Sequence, residues 1–387
     1  MSTKIPASWM RGGSSKGLFF LDADLPLNMQ ARESLLLRVM GSHLPHQQQI
    51  DGLGGASTNT SKIAIIKPSS RPDCDIDYTY GCAPISAGAA PLRIDWTGNC
   101  SNLTAAVGPF AITSGLVKPI EGYTKVRIWQ VNLGQRIDAY VSVLQGAVQE
   151  QGAFHEHETA INSAEIRLEF LEPADALLLP TGKPKDWLTV PGFGKLEATI
   201  IDAGGPIVFV RAEALRLTGR EPIYKITSNR RFVDQLDLLR GHAAVAMGVT
   251  QDARDLARNS SPNHSNPNAQ APVLCWLGKP AAFRTQAGND IASDAVDILA
   301  QFLPVGPLQQ GFDGVGSIAL AMAAAIPGTI ANEIARTLPG IPTRVGHPSG
   351  TLTIGAEVSQ NGFVWRADKA SLSRSARCLM TGWVQIP

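Results

Sequence analysis

Gly98-Asn99-Cys100-Ser101-Asn102-Leu103-Thr104-Ala105-Ala106-Val107 sets a tight turn directly against an apolar helical run. A similar turn returns at Gly314-Val315-Gly316-Ser317, which opens Ile318-Ala319-Leu320-Ala321-Met322-Ala323-Ala324-Ala325. Upstream, Gly12-Gly13-Ser14-Ser15 leads into Leu18-Phe19-Phe20-Leu21, and Ala203-Gly204-Gly205-Pro206 leads into Ile207-Val208-Phe209-Val210. Each is followed by a helical stretch, 31–41 and 232–240, and then by a strand-like run, Ile63-Ala64-Ile65-Ile66 and Val273-Leu274-Cys275-Trp276. Four elements recur in one order at a spacing of roughly 190 to 215 residues, far beyond a solenoid period. The pattern predicts a duplication: two pseudo-symmetric domains, with the helices from about 102 and 317 central and their N-termini facing each other across a cleft.

The turn at Cys100 is also a chemical signal. Backbone N–H groups at a helix start lack intrahelical partners, and the dipole makes that end positive. A thiol there ionises more readily than a free one, whose pKa is about 8.5. A carboxylate drawn to the same N–H groups would lie against the sulfur.

The bulk properties exclude several classes. A net charge of +1 gives no electrostatic case for nucleic acid or an anionic membrane as partner. No run of 18 apolar residues is present, and Met1-Ser2-Thr3-Lys4-Ile5-Pro6 lacks a signal core, so a cytoplasmic location is expected. Five cysteines (74, 82, 100, 275, 378) are odd in number and lack CxxC spacing, which suits a reduced protein without a zinc framework.

Strand signals lie at 17–21, 63–67, 75–80, 92–96, 125–132 and 136–144, and Val126 to Val131 alternates apolar and polar as a half-buried strand should. Helices are expected at about 28–41, 102–115, 231–247, 291–302 and 315–326. Many strands around few apolar helices give an α+β class, mainly β structure wrapped around a central helix in each domain. The junction is placed near 180–185, giving domains of 1–184 (with 374–387 returning to it) and 185–373. The polar stretch 252–270 reads as a surface loop.

Asp51-Gly52-Leu53-Gly54-Gly55-Ala56-Ser57-Thr58-Asn59-Thr60-Ser61-Lys62 lacks the Walker spacing and runs into a strand, so it is not a nucleotide loop. It presents Lys62 at a strand start beside hydroxyls, where partial desolvation would make it a base. Arg11 to Gly17 is a cationic, hydroxyl-rich turn suited to a carboxylate or a phosphate. His155-Glu156-His157 has metal-ligand spacing but no third ligand, and no metal site is expected. No GxSxG elbow occurs.

These residues together resemble the 2-methylaconitate cis-trans isomerase (PrpF) family, which also contains methylitaconate, oxalomesaconate and aconitate isomerases. The resemblance rests on Met10 to Gly17, Asp51 to Ala56, Thr60 to Lys62, Asp95 to Leu103, Val107 to Ala111, Leu179 to Gly182, Gly346 to Gly350 and Ser373 to Arg377. Ser101 stands where the family usually has Gly, Val315-Gly316-Ser317 where it has Met-Gly-Thr, and Asp202 where it has Asn. The resemblance implies the diaminopimelate epimerase-like fold and cofactor-free allylic proton transfer on an unsaturated di- or tricarboxylate such as 2-methylaconitate or aconitate. It implies Lys62 and Cys100 as the acid/base pair, with Lys62 taken here as the group that removes the proton. Donors to the substrate are expected from Arg11, Ser14, Ser15, Asn59, Ser61, Asn99, Ser101, Asn102, Ser317, Ser349 and Gly350. Methylitaconate isomerisation, oxalomesaconate tautomerisation and a non-enzymatic accessory role to an aconitase-like dehydratase are the alternatives. A homodimer is the expected assembly. An amino-acid racemase is disfavoured, because the second turn carries Ser317 rather than a second thiol.

Overall fold

The structure is a computed structural model that describes residues 3–43, 48–85, 92–156, 159, 161–173, 177–254, 272–303, 314–337 and 340–386. The chain divides into two compact units, Met1–Leu171 with Ser373–Pro387, and Glu172–Leu372. The junction drawn near 180–185 from the sequence thus differs from this division, which falls after Leu171. Leu178 already bonds within the second unit, its carbonyl accepting from the Asp202 N–H at 3.0 Å.

The first unit contains β1 (Thr3–Gly12), β2 (Ser15–Leu21), β3 (Lys62–Pro68), β4 (Ile76–Cys82), β5 (Gly122–Gln130), β6 (Gln135–Leu144), β7 (Ala147–Val148), β8 (Ile166–Leu171) and, from the chain's return, β19 (Ala376–Ile386). The order is β19-β1-β2-β3-β4-β5-β6-β8. Neighbours are antiparallel except for β2/β3 and β4/β5. The second unit contains β9 (Asp186–Val190), β10 (Gly194–Asp202), β11 (Pro206–Arg211), β12 (Val273–Gly278), β13 (Phe283–Arg284), β14 (Asp290–Ile291), β15 (Ile298–Phe302), β16 (Thr343–His347), β17 (Gly350–Asn361) and β18 (Val364–Arg374). Its order, β9-β10-β11-β12-β15-β16-β17-β18, has parallel pairs at β11/β12 and β15/β16, the same positions as in the first unit.

The helices are α1 (Met29–Met40), α2 (Ser101–Thr104), α3 (Val107–Thr113), α4 (Ile223–Thr227), α5 (Arg230–Ala246), α6 (Gly314–Ala325) and α7 (Ile330–Ile334). In the first unit α3 is buried from Val107 to Ile112, with Phe110 5.3 Å from Phe19 of β2. In the second, α6 is buried from Gly316 to Ala324. Each unit therefore wraps strands around an apolar helix, the α+β arrangement expected. No helix among the described residues is long and apolar enough to cross a membrane.

Three expected elements come out differently. The helix over 102–115 is two short helices, because Pro109 has no N–H and its ring opposes the carbonyl four residues back, at Ala105. The helix over 291–302 is the strand β15, whose run Ile298-Leu299-Ala300-Gln301 is buried on both faces. A continuous apolar run of that length suits a buried strand as well as a helix. Leu92 to Trp96 is not a strand; among the described residues its β pairing is the isolated bridge from Asp95 to Cys82. The loop expected at 252–270 lies largely outside the described residues.

A second mark of duplication is a fork that sequence reading missed. Asp75 accepts from the Arg127 backbone N–H at 2.8 Å and its Nη2 at 2.6 Å, and the Asp75 N–H returns to the Arg127 carbonyl at 2.7 Å. Asp297 and Arg344 repeat this at 2.8, 2.7 and 2.7 Å. Each fork joins the approach to one strand to its parallel neighbour, β4 to β5 and β15 to β16. Asp75→Ala and Asp297→Ala each take the carboxylate from a backbone donor and from a charge-assisted guanidinium bond. Each is expected to lose about 1.5–3 kcal/mol, the scale for hydrogen bonds to charged groups, read as a lowered urea midpoint with a near-wild-type circular dichroism spectrum before the transition.

Candidate active site

Lys62 opens β3, where it pairs with Gly17 of the parallel strand β2 and with Cys82 of β4. Alternation along the strand sends neighbouring side chains to opposite faces. The Lys62 ammonium reaches Ser15 Oγ at 3.0 Å and Cys100 Sγ at 2.8 Å. Ser61 goes the other way and donates to Gln49 Oε1 at 2.6 Å. Ser61 is fully buried and belongs to the brace of the preceding loop, so its expected place among the substrate donors is corrected.

Cys100 is the N-cap of α2, with extended backbone (φ −125°, ψ 103°) and its sulfur accepting from the Leu103 N–H at 3.5 Å. Asn99 Oδ1 accepts from the Cys100 N–H at 2.7 Å and from Thr104 Oγ1 at 3.1 Å, which holds the turn in place. Burial by itself would push the thiol up. The Lys62 charge and hydrogen bond, the Leu103 N–H and the Ser15 hydroxyl outweigh it and bring Cys100 below the ordinary thiol range. Cys82, across the strand pair from Lys62, is pushed up by burial despite the same ammonium, with Asp95 and Cys100 adding to the rise. Burial, then the Cys100 charge, also pushes Tyr78 and Tyr80 up. Of these four groups Cys100 alone is shifted toward its charged form, beside the Lys62 ammonium.

The remaining expected residues divide into three sets. Ser14 accepts from Asn102 Nδ2 at 3.0 Å, so Ser14 and Asn102 are joined beside the pair. Arg11 is turned to structure: its Nη1 donates to the Gly13 carbonyl at 3.0 Å and to Ser375 Oγ at 2.9 Å. Asn59 is half-buried and gives its carbonyl to the Lys16 N–H at 2.9 Å. Ser101 Oγ is buried without a hydrogen-bond partner. In the second unit, Ser317 is buried in the first turn of α6, Ser349 lies in the β16–β17 turn and Gly350 opens β17.

Sequence reading missed Glu156 and Arg374. Glu156, read there only as part of a metal-spaced run, accepts from the Ser375 N–H at 3.1 Å and from the Ser375 hydroxyl, and lies 3.6 Å from Arg11 and 3.8 Å from Arg374. Arg374 Nε donates to Asn102 Oδ1 at 2.6 Å. The only signal was that Arg374 falls inside the Ser373–Arg377 stretch. The turn at 12–15 fits against α2 because it has glycines. A Cβ on Gly12 would lie 2.3 Å from the Asn102 carbonyl oxygen, and Gly13 has φ +50° with Asn102 Oδ1 2.5 Å from the place a Cβ would take.

A family model described as "PrpF protein" matches residues 2–387. The chain belongs to the PrpF family. It is 41% identical to a 2-methyl-aconitate isomerase from Shewanella oneidensis, over 99% of this chain and 97% of that one. It is 34% identical to a 3-methylitaconate isomerase from Eubacterium barkeri, over 99% and 97%. Among solved structures, a methylitaconate-delta-isomerase superposes with TM-score 0.84 at 32% identity, covering 100% of this chain and 96% of that one. A hydroxyproline epimerase from Agrobacterium vitis superposes with TM-score 0.51 at 12% identity, over 99% and 93%, which shows the shared epimerase-like fold alone. With such relatives along its whole length, this PrpF-family chain is an isomerase.

The thiolate assignment has a direct check. Iodoacetamide alkylation of Cys100, followed by peptide mass spectrometry, is expected to stay fast as pH falls below the ordinary thiol range and to decline only at the lowered value. Lys62→Met leaves burial in control and moves that inflection up, above the wild-type one. An unshifted profile in Lys62→Met would show that the ammonium does not hold the charge.

Proposed function

We propose that this PrpF-family isomerase moves an allylic proton on a small unsaturated polycarboxylate, 2-methylaconitate first among them, without a cofactor, using Cys100 and Lys62. The observation that carries the reading is the 2.8 Å contact from the Lys62 ammonium to the Cys100 sulfur, at a helix start and with the Ser15 hydroxyl against both groups. The choice of acid is supported by the whole-length similarity to a 2-methyl-aconitate isomerase.

The pair favours the thiolate as the base, the reverse of the duty given to Lys62 from sequence. The Cys100 thiolate removes the proton alpha to a carboxylate and allylic to the double bond. The electron pair spreads into a dienolate, and the former double bond becomes free to rotate. The Lys62 ammonium returns a proton, to the original carbon for a cis-trans product or to the distal carbon for a shifted double bond. The thiol proton then passes to the Lys62 amine, which restores the starting pair. Charge developing on the carboxylate calls for donors fixed in advance. Ser14, Ser15, the Asn99 amide and the N–H groups at the start of α2 are the proposed donors in the first unit. The same pair also serves a double-bond shift, a reading favoured by the 0.84 TM-score to the methylitaconate-delta-isomerase.

The test is proton NMR in deuterated water with 2-methylaconitate, aconitate, methylitaconate and oxalomesaconate. One of these is expected to isomerise with solvent deuterium at the allylic carbon. Lys62→Ala and Cys100→Ser are each expected to lose about 10²–10⁴-fold in kcat, the usual share of a general acid or base. Wild-type exchange surviving in Cys100→Ser would overturn the sulfur's role, and an accessory protein would leave all four acids unchanged.

A further inference from the structure

We propose that Arg374 is a positioning residue that sets the direction of a hydrogen-bond chain, Arg374 to Asn102 to Ser14, and so leaves the Ser14 hydroxyl proton free to be donated to a carboxylate of the substrate. The inference rests on the proposed function above and names the group that reads one carboxylate of that substrate.

The argument is one of donor and acceptor inventory. A guanidinium has donors only. Arg374 Nε points at Asn102 at 2.6 Å, so the side-chain atom facing it must be Oδ1. That fixes the amide, whose orientation is otherwise decided only by its neighbours. The NH2 is turned to Ser14 and donates to its Oγ at 3.0 Å. Ser14 Oγ is therefore an acceptor toward Asn102, and its own proton points elsewhere. Ser14 is half-buried and adjoins Ser15, whose hydroxyl touches the Lys62–Cys100 pair. A donor at that place suits an anion held beside the reacting centre.

Arg374 is held for this task. It is 7% exposed and lies 3.8 Å from the Glu156 carboxylate, which the Ser375 N–H also binds. Arg374 sits near the start of the returning segment and Asn102 inside α2, 272 residues earlier in the chain. The chain's last segment thus polarises a turn formed by its first.

The experiment measures protection of Cys100 from iodoacetamide by tricarballylate, a saturated tricarboxylate that binds without turnover, together with kcat and KM for the acid found above. Arg374→Ala is expected to weaken protection and raise KM by about tenfold, the scale of coupling within one hydrogen-bond network. Alkylation without ligand should stay near wild type. In a Ser14→Ala background the same substitution should cost less than about twofold, because the chain acts through that hydroxyl. Arg374→Lys, still a pure donor, should recover most of the affinity. Equal losses in both backgrounds, or no loss, would overturn the relay. If Arg374→Ala does not fold, Asn102→Asp replaces it: a carboxylate accepts from both sides and turns the Ser14 proton inward, so its loss should be at least about fivefold smaller once Ser14 is Ala. An undiminished loss would assign the effect to charge and overturn the proposal. Absence of protection and turnover in the wild-type protein would instead sink the polycarboxylate reading, a separate result.

Discussion

A buried ammonium beside a sulfur is the constraint around which the first unit is arranged. Lys62 is 7% exposed, and a charge so placed is costly unless it meets a counter-charge and hydrogen-bond acceptors. Ser15 Oγ supplies an acceptor and ionised Cys100 supplies the charge. The thiolate in turn needs donors, which the Leu103 N–H and the ammonium provide. Each charge is tolerable because of the other. The parallel pairing of β2 and β3 makes this possible. It brings the strand start at Lys62 alongside Gly17, two residues beyond the serine that both groups share.

The two units use one scaffold for unequal purposes. Strand order, strand sense and the Asp–Arg fork recur almost to the ångström. In the second unit, however, the ladder equivalent to Gly17–Lys62 begins with Ile207 and Val273, and the first turn of α6 carries Ser317. The fork and the central helix are thus matters of folding, repeated because each unit needs them. The ammonium and the thiol occur at this position once. A thiol beside an ammonium is chemically unequal, unlike a symmetric pair of thiols.

The braces behind the pair explain why several polar residues of the expected site face away from it. Gln49 meets Ser61 and the Ala56 N–H with its oxygen, and Ser42 with its nitrogen, so the loop before Lys62 is fastened from inside. Arg11 fastens the glycine turn from the other side through Gly13 and Ser375. Buried polar groups that are fully satisfied fix one arrangement of their surroundings.

Much of this was legible in the chain itself. The duplication, the mainly β units around apolar helices, and the placing of Lys62 at a strand start and Cys100 at a helix start follow from local pattern: periodicity and glycine turns. These are properties that a residue and its near neighbours decide. The elements misread in sequence, β15 as a helix and 102–115 as one helix, turned on whether an apolar run is buried on both faces and on one proline. Which way Ser61 and Lys62 point followed only from strand pairing, since adjacent residues look alike in sequence and opposite in a sheet. The contact of the Lys62 ammonium with the Cys100 sulfur, the structural partners of Arg11, and the chain from Arg374 through Asn102 to Ser14 were decided by tertiary structure alone. They join residues up to 364 positions apart, and no local preference encodes a contact across that distance.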